Sequence, residues 1–257
     1  MSDLNGYVTV EHSEGIATIE FYHPQSNSLP AEKLNSLASA IEEEGSNTAT
    51  RVIILRSAGE KVFCAGASFD ELANISNEEE GLKFFSGFAN VLNAMRKAPK
   101  LIVARIHGKC IGGGVGLAAA ADYAIAIEGA DIKLSELAVG IGPFVVGPAL
   151  ERKLGLSAFS QLTIDATMWR SSDWARRKGL YAELHPDLAG MDASILRLAT
   201  TLSQSNPQAM SAIKKILWNA TDNWDELLKE RAAISGKLIL SEYSKSFIAS
   251  FKQKKGK

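Results

Sequence analysis

The sequence predicts an α/β fold: a largely parallel, helix-covered sheet followed by a C-terminal helical region. Three observations lead there. Short apolar strand patterns alternate with amphipathic helix patterns through roughly the first 145 residues. Two glycine-containing loops each follow an apolar strand and open into a helical segment. Beyond that point the pattern becomes predominantly helical.

The elements follow in order. "YVTVEHSEGIATIEFY" reads as a hairpin turning at Glu14-Gly15, and "HPQSNSL" interrupts it. "PAEKLNSLASAIEEEG" has helical spacing, with Pro30 suited to the first turn and Gly45 near the end. "RVIILRS" is a short apolar strand, and Gly59 and Gly66 bracket "EKVFCAGASF". Residues 78–97 form a helix whose stripe is Phe84, Phe88, Val91, Leu92 and Met95. "LIVARIHG" is a strand, "GGVGLAAAADYAIAI" a small-residue helix leading into another strand, and "DIKLSE" a further short strand. "GPALERKLGLSAFSQLTIDA", "SSDWARRKGL" and "ASILRLATTLSQS" are helical pieces; the remainder is helical with a break near 221–223. This divides the chain into an α/β core over 1–195 and a helical region over 196–257. The terminal "FKQKKGK" reads as a solvated basic tail.

Composition narrows the function. The 257 residues carry 28 Lys and Arg against 29 Asp and Glu, a formal net charge of −1, which argues against a nucleic-acid partner. Two cysteines, Cys64 and Cys110, make neither a disulfide scaffold nor a metal cluster, and four scattered histidines add no metal site. No long charge-free apolar run or secretory leader is read, so a cytoplasmic chain without a membrane span is expected.

The chemistry concentrates in the two loops. Gly112, Gly113 and Gly114 end a strand and open a helix, where backbone N–H groups lack intrahelical partners and a developing oxyanion would be favoured. In "KVFCAGASFDEL", Ala65, Gly66 and Ala67 leave a second stretch of accessible backbone. Two separated N–H donors can polarise one carbonyl and stabilise the oxyanion that develops on it. Asp70 and Glu71 suit the cap of the following helix, and His107 and Asp122 suit structural roles.

With "FYHPQSNSL", "KVFCAGASFDEL", "IHGKCIGGGVGLAAAADYAIA" and "IKLSELAVGIGP" in this order, the chain resembles the crotonase superfamily, the enoyl-CoA hydratase/isomerase family. The resemblance implies a spiral of ββα units with a C-terminal helical trimerisation region. It also implies a homotrimer or dimer of trimers; the apolar stripes of the C-terminal helices make Leu217, Trp218, Trp224 and Leu227 candidates for its contacts or for packing within the chain. It implies acyl-CoA as the partner, with CoA carried by the substrate and no separate cofactor. Ala67 and Gly113 would be the oxyanion donors, and Ser26, Ser28, Phe63, Ala65, Ala67, Ser68, Phe69 and Gly113 the contacts to the CoA thioester.

Family hydratases commonly carry two glutamates. Here Glu136 matches one, while Gly116 stands at the other. Hydration uses two positioned carboxyl groups well, whereas moving a double bond needs one group that takes a proton from C2 and returns it at C4. Glu136 is therefore the expected base of a 3-enoyl-CoA to 2-enoyl-CoA isomerase. Gly116, Phe144 and Val145 are the expected acyl-pocket positions, with Val146 adding bulk beside them. A hydratase using Glu136, another CoA-dependent lyase or hydrolase, and a noncatalytic acyl-CoA-binding protein remain the alternatives.

Overall fold

The computed structural model describes residues 5–255. Its architecture is a superhelix of strand pairs. Strands β1 (Tyr7–Ser13) and β2 (Ile16–Tyr22) form the expected antiparallel hairpin, with Glu14 and Gly15 both at positive φ in its turn. The short strand β3 (Ser28–Leu29) leads into helix α1 (Ala31–Ser46), with Pro30 at its N-cap.

Strand β4 (Val52–Ser57) is followed by β5 (Val62–Cys64), β6 (Gly66–Ala67), the single turn α2 (Phe69–Leu72) and the long helix α3 (Glu78–Lys97). The cycle repeats with β7 (Leu101–Ile106), β8 (Lys109–Ile111) and α4 (Gly113–Ala120). It repeats again with β9 (Tyr123–Ile127), β10 (Ile132–Lys133) and the turn α5 (Glu136–Val139). The helices α6 (Gly147–Leu154), α7 (Leu156–Ile164) and α8 (Ser172–Arg177) precede a short strand, β11 (Glu183–His185). Helices α9 (Leu188–Ser203), α10 (Pro207–Leu217), α11 (Trp224–Leu238) and α12 (Glu242–Lys255) complete the described chain.

The large sheet has the order β1-β2-β4-β7-β9-β11, parallel except at its hairpin edge. A second, parallel sheet has the order β10-β8-β5. Each turn of the spiral thus gives one strand to each sheet, and the carboxyl ends of the second set deliver the loops of interest. Strand β4 shows why a continuous apolar run is needed. Ile53 and Leu55 join the main core with α1 and α3, whereas Val52 and Ile54 pack on the opposite face with Met191, Ile195 and Ala199 of α9.

Strand β11 is an element not expected in the predominantly helical second half; it extends the sheet beside β9. Helix α9 crosses residue 195 without a break. Helices α3 and α11 cross at Gly81 and Gly236: a Cβ on Gly81 would lie 2.6 Å from the Gly236 Cα. Trp224 is buried within the chain, edge-on to Trp218 at 5.7 Å, and Leu227 packs on the same core, while Leu217 is exposed. The tail reading is also corrected at its start. Phe251 stacks against Phe69 at 4.5 Å and Lys252 pairs with Asp70 at 3.3 Å; residues 256–257 lie outside the described residues. Among the described residues no helix is long and apolar enough to cross a membrane.

Candidate active site

The two loops meet. Cys64 on β5 and Cys110 on β8 are Cα partners, and each chain then runs three residues to Ala67 and Gly113. Gly66 turns with φ +83°, and a Cβ there would lie 2.8 Å from the Ile111 carbonyl and 3.1 Å from the Gly113 nitrogen. Only glycine allows this approach. Gly113 is the first residue of α4, so its N–H has no intrahelical acceptor. Beneath it, a Cβ would collide with the Phe88 ring, its Cζ lying 2.6 Å away. The glycine triplet thus serves close backbone and ring packing around one cavity.

That cavity has a volume of about 60 Å³ and opens to solvent. One wall is Ala65, Gly66 and Ala67; another is Gly112 and Gly113. Phe69 and Leu72 of α2 and Phe85 and Phe88 of α3 supply apolar surface, and Pro143, Phe144, Val145 and Val146 close a further side. Ser235 reaches it from α11.

Among the described residues, Glu136 is the only carboxylate in this lining. The residue begins α5, and its carboxyl group lies over Gly112, 3.1 Å from where a Cβ would stand there. The residue is partly open to the cavity, but Oε2 is enclosed and has no hydrogen-bond partner. Burial pushes its pKa from 4.5 up to about 7, opposed only by a backbone hydrogen bond. A carboxyl group poised there can both accept and return a proton near neutrality.

Gly116 does not line the cavity. A Cβ on it would be 2.7 Å from the Val146 Cβ, so the valine occupies the direction in which a side chain from 116 would project. The expectation that Gly116 lies in the acyl pocket is corrected accordingly: Val146 stands between it and the cavity.

The other expected positions divide. Ala65, Ala67, Phe69, Gly113, Phe144 and Val145 all line the cavity. Phe63 instead buries its ring edge-on to Phe21, at 5.4 Å, and its carbonyl accepts a 2.7 Å bond from Ser57 Oγ. Ser28 is buried, with no partner for Oγ, and Ser68 caps α2 by accepting from the Glu71 N–H. Ser26 lies in a positive-φ turn, and its carbonyl accepts from the Ala65 N–H at 3.2 Å. Segments 23–28 and 65–70 therefore adjoin, joined also by Gln25 Nε2 donating to Asp70 at 2.6 Å.

Asn27 was not singled out by sequence. Its Nδ2 donates to the carbonyls of Ala58 and Val62 at 2.7 and 2.9 Å, and its Oδ1 accepts from the His23 N–H. Asparagine's tolerance of positive φ was the available signal. Glu71 accepts from the Ala31 N–H at 2.8 Å. Asp122 is structural, as expected: it accepts from the Ile102 N–H, Lys214 Nζ and Trp218 Nε1. His107 is buried with neither ring nitrogen partnered, and burial pushes its pKa down to about 4. Trp169 and Trp174 do not line the cavity. No cluster of three or more His, Cys, Asp or Glu suited to a metal occurs among the described residues.

Converging backbone loops beside one enclosed carboxyl group define a site suited to enolate chemistry on an acyl thioester. The chain belongs to the enoyl-CoA hydratase/isomerase family, whose model matches residues 11–256. It is 32% identical over 192 residues to the mitochondrial methylglutaconyl-CoA hydratase of Homo sapiens, covering 73% of this chain and 56% of that protein. It is 26% identical over 193 residues to the mitochondrial Delta(3,5)-Delta(2,4)-dienoyl-CoA isomerase of Pongo abelii, covering 67% and 56% of the two chains. The crystal structure of an enoyl-CoA hydratase from Bacillus halodurans shares the fold, with a TM-score of 0.88 and 24% identity over 95% of this chain and 99% of that one.

Proposed function

We propose that this chain is an enoyl-CoA isomerase that moves a 3,4 double bond to the 2,3 position with one carboxylate. The observation that carries this reading is the asymmetry of the site. Glu136 borders the cavity with a partner-free oxygen, while Val146 fills the space beside Gly116. In this mechanism the thioester oxygen accepts hydrogen bonds from the N–H groups of Ala67 and Gly113. Glu136 removes a proton from C2, giving a dienolate whose negative charge rests largely on that oxygen. The protonated Glu136 then delivers the proton to C4, and the electron pair closes the 2,3 bond. Carboxylate and thioester are regenerated, and no water is consumed. Assembly as a trimer or a dimer of trimers belongs to the same reading.

A hydratase reading is favoured by the name of the human relative. Incubating the protein with 3-hexenoyl-CoA and, separately, 2-hexenoyl-CoA distinguishes the two, because hydration adds the mass of water and migration does not. We expect migration, with turnover falling at least about 1000-fold in Glu136→Gln while acyl-CoA still binds. Hydration without migration, or full migration by the variant, would overturn the proposal.

A further inference from the structure

A second cavity adjoins the first. Its volume is about 210 Å³, with Gly147, Phe159 and Thr163 in its walls and Glu151 and Arg231 also bordering it. The two cavities share only Pro143 and Phe144 as lining residues. Phe144 is held by close packing on its own loop: a Cβ on Gly142 would lie 2.5 Å from the Phe144 Cζ. Gly147 is similarly covered, with a Cβ there falling 2.9 Å from the Phe159 Cζ. Pro143 and Phe144 therefore border both spaces. Glu136 lines the first and not the second.

We infer that Phe144 is the end wall of the acyl site, restricting it to short acyl groups, and that the adjoining cavity is the space a longer chain would need. The inference rests on the reading of the first cavity as an acyl-thioester site. It assigns Phe144 a role in specificity and none in proton transfer, because its side chain offers neither a proton nor a charge.

The consequence is a measurable break in the affinity of saturated acyl-CoAs, which bind without reacting. Each methylene buried against apolar surface is worth about fourfold in affinity. In the wild type, affinity rises from butanoyl-CoA to hexanoyl-CoA and then levels off, with decanoyl-CoA within about threefold of hexanoyl-CoA. Phe144→Ala joins the two spaces, and the rise resumes, decanoyl-CoA binding at least about 20-fold tighter than hexanoyl-CoA. Phe144→Leu, a smaller change in packing, gives an intermediate rise. Isothermal titration of the three proteins with the three ligands reads this directly.

The wild-type plateau tests the wall even if a variant folds poorly. A wild-type affinity that climbs about fourfold per methylene through decanoyl-CoA would overturn the inference. So would a plateau unchanged in well-folded Phe144→Ala. These ligands have no double bond to move, so the outcome is independent of the isomerase proposal. A plateau in a protein that fails to isomerise 3-hexenoyl-CoA would fault the reaction and leave the wall intact. Absence of acyl-CoA binding would overturn the site reading and the wall with it.

Discussion

Replacing Glu136 with Gln should stabilise the ligand-free protein at alkaline pH while disabling it. The magnitude follows from the burial of the acid. Holding the carboxyl group at about 7 rather than 4.5 costs the folded state roughly 3 kcal/mol once the group is ionised. The direction is fixed by proton binding. Below 4.5 the acid is protonated in both folded and unfolded chains, and no cost arises. Between 4.5 and about 7 the folded chain retains the proton that the unfolded chain has lost, so stability falls as pH rises; above 7 the full cost is present. Gln carries no charge and removes this dependence. A buried amide lacking a partner adds its own cost, on the order of 1–3 kcal/mol, but that offset is constant with pH. The diagnostic is therefore the slope of the difference between the proteins. His107, shifted in the opposite direction to about 4, is common to both and cancels. Urea titrations at matched protein concentration between about pH 5 and pH 8 should show the variant gaining roughly 2–3 kcal/mol relative to the wild type across that interval. A difference that stays flat with pH would refute the argument that Glu136 is held as a desolvated acid.

Two further outcomes test the packing around the site. Gly116→Glu alone should destabilise the protein by about 1–3 kcal/mol, because its Cβ enters space held by Val146; Gly116→Glu with Val146→Ala should recover much of that loss in thermal unfolding. Asp122→Ala should cost about 3–5 kcal/mol in chemical denaturation, since it strands the Lys214 ammonium, whose side chain is 3% exposed, and removes the acceptor of the Trp218 indole.

The sequence revealed features that depend on local chemistry. The hairpin at Glu14-Gly15, the 78–97 helix and the two loop-to-helix junctions each follow from turn residues and periodicity nearby. Features made by distant packing were less legible. Strand β11 has three residues, two of them polar, and takes its character from pairing with β9. Phe88 was visible as part of an apolar stripe, but a stripe facing a cavity has the same spacing as one facing a core. Ser235 enters the cavity because Gly81 and Gly236 let two helices touch, a relation across more than half the chain. Val146 and Gly116 were each visible, yet only the fold shows that one fills the space beside the other.

The pairing of Cys64 with Cys110 has a consequence for how such a protein can change. The span between Ala67 and Gly113 is set by strand register, with its irregularity between Val62 and Cys64, by equal three-residue run-outs, and by the close packing at Gly66 and Gly113. A one-residue slip would displace a donor by roughly 3.3 Å, more than a hydrogen bond tolerates. Proton-transfer groups and acyl walls sit on side chains and can be replaced singly around this fixed frame. An engineer seeking a new reaction should therefore leave the two strand ends untouched and vary positions 116, 136, 144 and 146 in combination.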